Sequence, residues 1–132
     1  MKTLIHRQDL VEPELSYEIV GACFDVFNEF GSGHPEKVYQ KALEIAFEER
    51  KLKFEKQKYS PLIFKTIKVG SFFYDFVIEN KIVVEIKVDK KFKVNDYKQL
   101  KTYLVDSKLP LGILVRFSED GVTFCRILPP NS

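Results

Sequence analysis

The stretch Phe72-Phe73-Tyr74-Asp75-Phe76-Val77-Ile78-Glu79-Asn80-Lys81-Ile82-Val83-Val84-Glu85-Ile86-Lys87 decides how the chain folds. It reads as two strands joined by a turn at Glu79-Asn80-Lys81. Apart from Asp75, Glu85 and Lys87, its strand positions are apolar or aromatic, so both faces of the strand pair are hydrophobic. That is the pattern of central strands covered on both sides. A charge buried there costs on the order of several kcal/mol unless it is matched.

Register determines whether the three charges meet, because side chains alternate faces along a strand. A three-residue loop pairs Ile78 with Ile82, Val77 with Val83, Asp75 with Glu85 and Phe73 with Lys87. One face then reads Val/Val, Asp/Glu, Phe/Lys. The other reads Ile78/Ile82, Phe76/Val84 and Tyr74/Ile86. Asn80 suits the turn because it tolerates a left-handed backbone. Facing carboxylates repel, so a shared proton, the ammonium of Lys87 or a hard divalent cation has to compensate. The alternative is a solvated hairpin end with incidental charges, against which the mid-strand positions of Asp75 and Glu85 weigh.

With 132 residues and 45% hydrophobic content, residues 1–132 are expected to form a single domain. The net charge is only +2, unevenly spread: residues 50–101 carry fourteen Lys or Arg against six Asp or Glu. A basic middle suits a polyanion, although exposed strand lysines also protect sheet edges. Cys23 and Cys125 have neither zinc-type nor redox-pair spacing, and Met1 to Leu10 lacks an apolar core of signal-peptide length. No segment reaches the apolar length of a membrane span. The expectation is a soluble, cytoplasmic protein with no membrane partner.

Pro13 to Phe30 carries Leu15, Ile19, Ala22, Cys23, Val26 and Phe30 at three- and four-residue steps, which predicts an amphipathic helix from Pro13 to a stop at Gly31. An elbow, Gly31-Ser32-Gly33-His34, leads to a second helix from Pro35 to about Lys51, with His34 read as a loop residue. Glu36, Tyr39, Gln40, Leu43 and Phe47 share a stripe of this helix. Glu36, in its first turn, either serves the positive end of the helix dipole or delivers a third carboxylate to Asp75 and Glu85. Short β segments are expected at Lys53–Tyr59 and Leu62–Val69, punctuated by Pro61 and by a turn near Lys65-Thr66. A helix from about Asn95, a plausible cap, to Ser107 follows. Tyr97, Leu100 and Leu104 form its buried face, and Gln99 and Tyr103 a second stripe toward the site or the core boundary. Two last strands, Leu111–Phe117 and Val122–Leu128, complete an α/β sheet with helices against it.

Taken together, Gly33-His34-Pro35-Glu36-Lys37-Val38-Tyr39, Asp75, Glu85-Ile86-Lys87 and the run from Gln99 to Tyr103 resemble the GxxExxY family of the PD-(D/E)xK nuclease superfamily. The resemblance covers nearly the whole chain. It implies a PD-(D/E)xK nuclease-like core, a mixed central sheet flanked by helices, with a phosphodiesterase site where the central strands diverge. It also implies that Asp75, Glu85 and Lys87 are catalytic and that Glu36, Asp75, Glu85 and the Ile86 carbonyl serve a magnesium or manganese ion (Mg²⁺ or Mn²⁺). Tyr39, Gln99 and Tyr103 would support them. Two positions depart from the family pattern: Phe73, where Arg is frequent, and His34-Pro35.

Hydrolysis of a phosphodiester needs a hydroxide-like nucleophile and neutralisation of charge on the phosphate oxygens, and bound magnesium supplies both. Lys90, Lys91, Lys93, Lys98 and Lys101 would hold a nucleic-acid backbone by salt-sensitive contacts. The expected activity is therefore metal-dependent hydrolysis of nucleic acid, DNA in the first instance, by a chain that could assemble with copies of itself. Two other classes stay open: a catalytically inactive nuclease-fold module that binds nucleic acid or assembles with partners, hinted at by Phe73, and a metal- or small-molecule-binding domain with structural carboxylates.

Overall fold

The structure, a computed structural model, describes residues 11–130, so the reading of Met1 to Leu10 lies outside the described residues. Helix α1, Pro13–Phe30, begins on its proline and buries Ile19, Val20, Ala22, Cys23 and Val26. Gly31 ends it at φ 65°, donating its N–H to the Phe27 carbonyl at 2.7 Å. Glycine adopts that backbone without a Cβ penalty. Helix α2, Glu36–Glu49, follows with Pro35 at the capping position and Tyr39, Leu43, Ala46 and Phe47 buried. Arg50 joins the two helices through Glu18 and Asp25, each at 2.9 Å. His34 is a loop residue whose Nε2 lies 3.0 Å from the Phe30 carbonyl oxygen.

Strands β1, Phe54–Phe64, and β2, Ile67–Ile78, form one long hairpin turned at Lys65 and Thr66, both left-handed. The expected break at Pro61 does not occur: Pro61 continues β1 opposite Ser71. Because β1 is at the edge of the sheet, a residue without an N–H is tolerated there. Strand β3, Ile82–Lys87, returns through the three-residue loop Glu79-Asn80-Lys81, with Glu79 and Asn80 left-handed and the Lys81 N–H on the Ile78 carbonyl at 2.9 Å. Helix α3, Val94–Ser107, crosses over to β4, Leu111–Ser118, which lies parallel to β3, and β5, Gly121–Ile127, closes the order β1-β2-β3-β4-β5. Asn95 is not the cap of α3. Lys93 holds that position and donates its N–H to Asp96 Oδ2 at 2.9 Å, so the acid at the third helical residue reaches back to the cap.

The result is an α/β fold, a mixed five-stranded sheet with helices on both faces. On one face, Ile19, Cys23, Val26, Leu43 and Phe47 of α1 and α2 meet Phe76, Ile78, Ile82, Val84, Ile86, Ile113, Val115 and Phe117. On the other, Leu100, Tyr103 and Leu104 of α3 meet Tyr74, Val77, Val83, Leu114 and Ile127. The hairpin register is the expected one from Ile78/Ile82 to Phe76/Val84, where β2–β3 pairing stops. The expected face for Tyr74 is overturned. Its ring lies 4.2 Å from that of Tyr103 on the α3 side, whereas Phe76 meets Phe47 at 5.1 Å on the opposite side. Alternation switches between these two residues, at the level where Gln57 of β1 stands opposite Asp75 in the register of the flanking pairs with φ 51°.

Helix α3 sits directly on β4 at Gly112, where a Cβ would lie 2.9 Å from Leu100 Cδ2 and 3.3 Å from Val83 Cγ1. Leu100 and Val83 are fully buried and have nowhere to retreat. Gly112→Val is expected to cost about 1–3 kcal/mol by overfilling this contact. The urea-unfolding midpoint should fall with an unchanged slope, and a midpoint equal to the wild type would show that α3 is seated more loosely.

Candidate functional site

Where β2 and β3 separate, two side chains replace the missing ladder. The Asp75 N–H donates to Glu85 Oε1 at 2.8 Å, and the Ile86 N–H donates to Asp75 Oδ2 at 2.7 Å. Each carboxylate thus satisfies a peptide group of the neighbouring strand. The other Asp75 oxygen, Oδ1, accepts from Gln40 Nε2 of α2 at 2.7 Å. Asp75 and Glu85 are each only 6% exposed. Burial, then the charge of its partner, pushes Glu85 up to about 9, and burial raises Asp75 above the usual carboxylate range against the opposing effect of the Ile86 N–H. Burial and mutual repulsion thus favour a proton shared by the pair.

Lys87 forms the more open edge of the site, with its side chain 21% exposed. Its Nζ lies 3.6 Å from Asp96 Oδ1 and 4.0 Å from Glu85 Oε2. Burial pulls Lys87 down, yet Glu85, Asp96, Glu36 and Asp75 together hold its ammonium above the ordinary lysine value. Glu36, the first residue of α2, is half-buried and shares this field. Burial raises its carboxyl first, Asp75 adds to the rise and Lys87 opposes it. The elbow at residues 31–35 and the helix start thus deliver Glu36 to the electrostatic neighbourhood of Asp75 and Lys87.

Of the remaining expected residues, Gln99 lines both the small space shared by Glu85, Lys87 and Asp96 and an adjoining groove with Tyr74, Tyr103 and Lys98. Its carbonyl accepts from the Tyr74 hydroxyl at 3.2 Å. Tyr103 packs on Tyr74 and is buried. Tyr39 does not join the carboxylates: its ring stacks on Phe117 at 4.3 Å and its hydroxyl donates to the Gly31 carbonyl at 2.6 Å, so it braces the elbow instead. Ile86 is fully buried and its N–H is taken by Asp75. Lys90, Lys91 and Lys93 occupy the exposed connection from β3 to α3, and Lys98 and Lys101 are exposed on α3. Arg116 secures that connection by donating to the Asp89 and Lys90 carbonyls.

Two site residues escaped the sequence reading, Gln40 and Asp96. Gln40 stands four residues after Glu36, hence on the same side of a helix, which was the available signal. Asp96 looks in sequence like any acid in a first helical turn, and only the fold brings it to Lys87.

A family model described as the PD-(D/E)XK nuclease superfamily matches residues 13–126. The chain belongs to the PD-(D/E)XK nuclease superfamily. Among solved structures, the crystal structure of SSO0001 is similar over 73% of this chain and 50% of its own, at 24% sequence identity and a TM-score of 0.57. The chain thus spans about half the length of that protein, and the likeness is one of fold. No curated protein matches.

Members of this superfamily usually use divalent metals. Among the described residues, no group of three or more His, Cys, Asp or Glu side chains is arranged to hold a metal ion. The donor chemistry nevertheless fits magnesium, which typically takes one or two carboxylates and keeps several waters rather than occupying an all-protein cage. Asp75 and Glu85 are two such carboxylates, each oxygen retaining acceptor capacity beyond its present bond. Among the described residues, no helix is long and apolar enough to cross a membrane.

The raised Glu85 carboxyl has a consequence for stability without metal. Between its ordinary 4.5 and about 9, the folded protein retains a proton that the unfolded chain has released. Raising the pH through this interval therefore removes stability, which is fullest at the acidic end. Urea titrations in EDTA across the interval should show a downward slope that Glu85→Gln flattens. An equal slope in both proteins would mean that Glu85 is already ionised at neutral pH.

Proposed function

We propose that this PD-(D/E)XK protein is a magnesium-dependent nuclease of the GxxExxY family, folded as one nuclease-like domain over residues 1–132 and hydrolysing phosphodiester bonds of nucleic acid, DNA in the first instance. The reading is carried by the reciprocal bonding of Asp75 and Glu85 where β2 and β3 part, with Lys87 at the open edge. Magnesium, with manganese as its substitute, would supply Lewis-acid stabilisation of the phosphate and a more acidic bound water. Asp75, Glu85 and the Ile86 carbonyl would hold it, and Glu36 would contribute directly or through a water. Binding of such an ion by carboxylates of this pair would release the proton they share, so its uptake would release protons.

The protein's own groups do the positioning. Gln40 and the Ile86 N–H fix the direction of the Asp75 carboxylate. Asp96 holds the Lys87 ammonium, which orients the attacking water or neutralises phosphate charge. Gln99 and Tyr103 support this side through Tyr74. Lys90, Lys91, Lys93, Lys98 and Lys101 hold the backbone of the substrate by contacts that weaken with salt. A cytoplasmic location agrees with Cys23 and Cys125, both free thiols.

Magnesium or manganese is expected to stabilise the folded protein through preferential binding, by about 2.7 kcal/mol at a hundredfold excess over Kd, and so to raise the melting temperature. Glu85→Ala should lose both this shift and cleavage. Lys87→Ala should keep the shift and lose about 10²–10³-fold in turnover, the range for removing one electrostatic stabiliser. Cleavage of single- and double-stranded DNA and RNA with and without metal checks the assignment. No metal-dependent cleavage of any of them, or a Lys87→Ala protein as active as wild type, would sink it.

A further inference from the structure

Pairing of β2 with β3 ends at Phe76/Val84, so β1 and β2 continue beyond the site as a two-stranded arm ending at Lys65 and Thr66. The arm is unusual in what it exposes. The rings of Tyr59 and Phe73, cross-strand neighbours with centroids 5.3 Å apart, are 43% and 52% exposed. Lys68 Nζ lies over the Tyr59 ring at 5.3 Å, and nearer the tip Lys65 Nζ lies over the exposed ring of Phe64 at 5.4 Å. From Lys56 to Tyr74 the chain carries four lysines and no acidic residue; Lys56 and Lys58 pair with Glu44 and Glu55 at 3.1 and 3.0 Å, which leaves Lys65 and Lys68 as the cations beside the rings. Phe73 is two residues from Asp75, about 7 Å along the strand, so the ring pair begins where the carboxylate site ends.

We infer that this arm is a stacking platform for single-stranded nucleic acid, the Tyr59/Phe73 ring pair receiving unpaired bases while Lys65 and Lys68 meet the phosphates beside them. This rests on the nuclease reading, to which it adds the strand state of the substrate. Exposed rings interleaved with lysines are the chemistry that binds single strands without reading sequence. A duplex keeps its base faces stacked inside and offers those rings nothing. The tip also exposes Ile63, Ile67 and Val69, which taken alone would suit a second copy of the chain. The cation–ring contacts of Lys65 and Lys68 and adjacency to the site favour the polyanion.

Binding is measured by fluorescence anisotropy in EDTA, where no hydrolysis occurs, with labelled oligothymidylate, oligouridylate and a DNA duplex of equal length. Both single strands should bind more tightly than the duplex. Tyr59→Ala and Phe73→Ala should each weaken single-strand binding by about tenfold, whereas Tyr59→Phe and Phe73→Tyr should retain it. The salt slope should persist in all four, since the lysines are untouched. Far-UV circular dichroism checks folding of these surface variants. Unchanged single-strand affinity in the alanine variants overturns the proposal, as does equal loss in the conservative ones. It is equally overturned if the alanine variants alter sedimentation while leaving single-strand binding intact, which makes the arm a contact between copies. Failure of metal-dependent cleavage with this binding pattern intact would overturn the nuclease reading and leave the platform standing.

Discussion

The peptide groups of Asp75 and Ile86, at the point where β2 leaves β3, take carboxylates as partners in place of ladder carbonyls. A buried N–H without a partner costs about 1–3 kcal/mol, so the departure of the two strands is possible only because Asp75 and Glu85 accept these bonds. The exchange is reciprocal, each acid serving the other's strand. It brings two anionic groups together in an apolar setting, where burial and mutual repulsion favour a retained proton. The carboxylates are thus part of the sheet's hydrogen bonding and, by the same geometry, a buried acidic pair at the point where the strands part.

The surrounding structure holds that arrangement from three directions. From one face, α2 brings Gln40 to Asp75 and Glu36 to its neighbourhood, after an elbow whose shape is set by Gly31, Gly33 and the Tyr39 hydroxyl. From the other, α3 brings Asp96 to Lys87, and Arg116 of β4 pins the connection that leads to it. At the edge, the left-handed Gln57 of β1 stands opposite Asp75. Tyr74, next to Asp75 on β2, lies on the α3 side, where its hydroxyl meets the Gln99 carbonyl.

The parts of this arrangement visible in the sequence are those governed by short-range rules. Apolar steps of three and four residues, with Pro13 before them and Gly31 after, placed α1 to the residue because helix periodicity and termini are local properties. The odd loop Glu79-Asn80-Lys81 set the pairing from Ile78/Ile82 to Phe76/Val84; Asp75 and Glu85 meet beyond the end of that ladder, through each other's strand N–H groups and not as a cross-strand pair. The acids' spacing around apolar strands was enough to suggest a site and, by resemblance, the superfamily to which the chain belongs.

What depended on the fold is what alternation and periodicity cannot express. Tyr74 and Phe76 share a parity yet face opposite layers, the change falling at Asp75, opposite the left-handed Gln57 of β1. Pro61 lies within a strand because that strand is at an edge, a fact of sheet order and not of local preference. Gln40 meets Asp75 across 35 residues and Asp96 reaches Lys87 only after the crossover begins. The sequence by itself determined the helices, the hairpin register and the identity of the paired acids, each a matter of spacing along the chain. Tertiary structure alone decided which polar groups surround them, because those groups converge only once both faces of the sheet are covered.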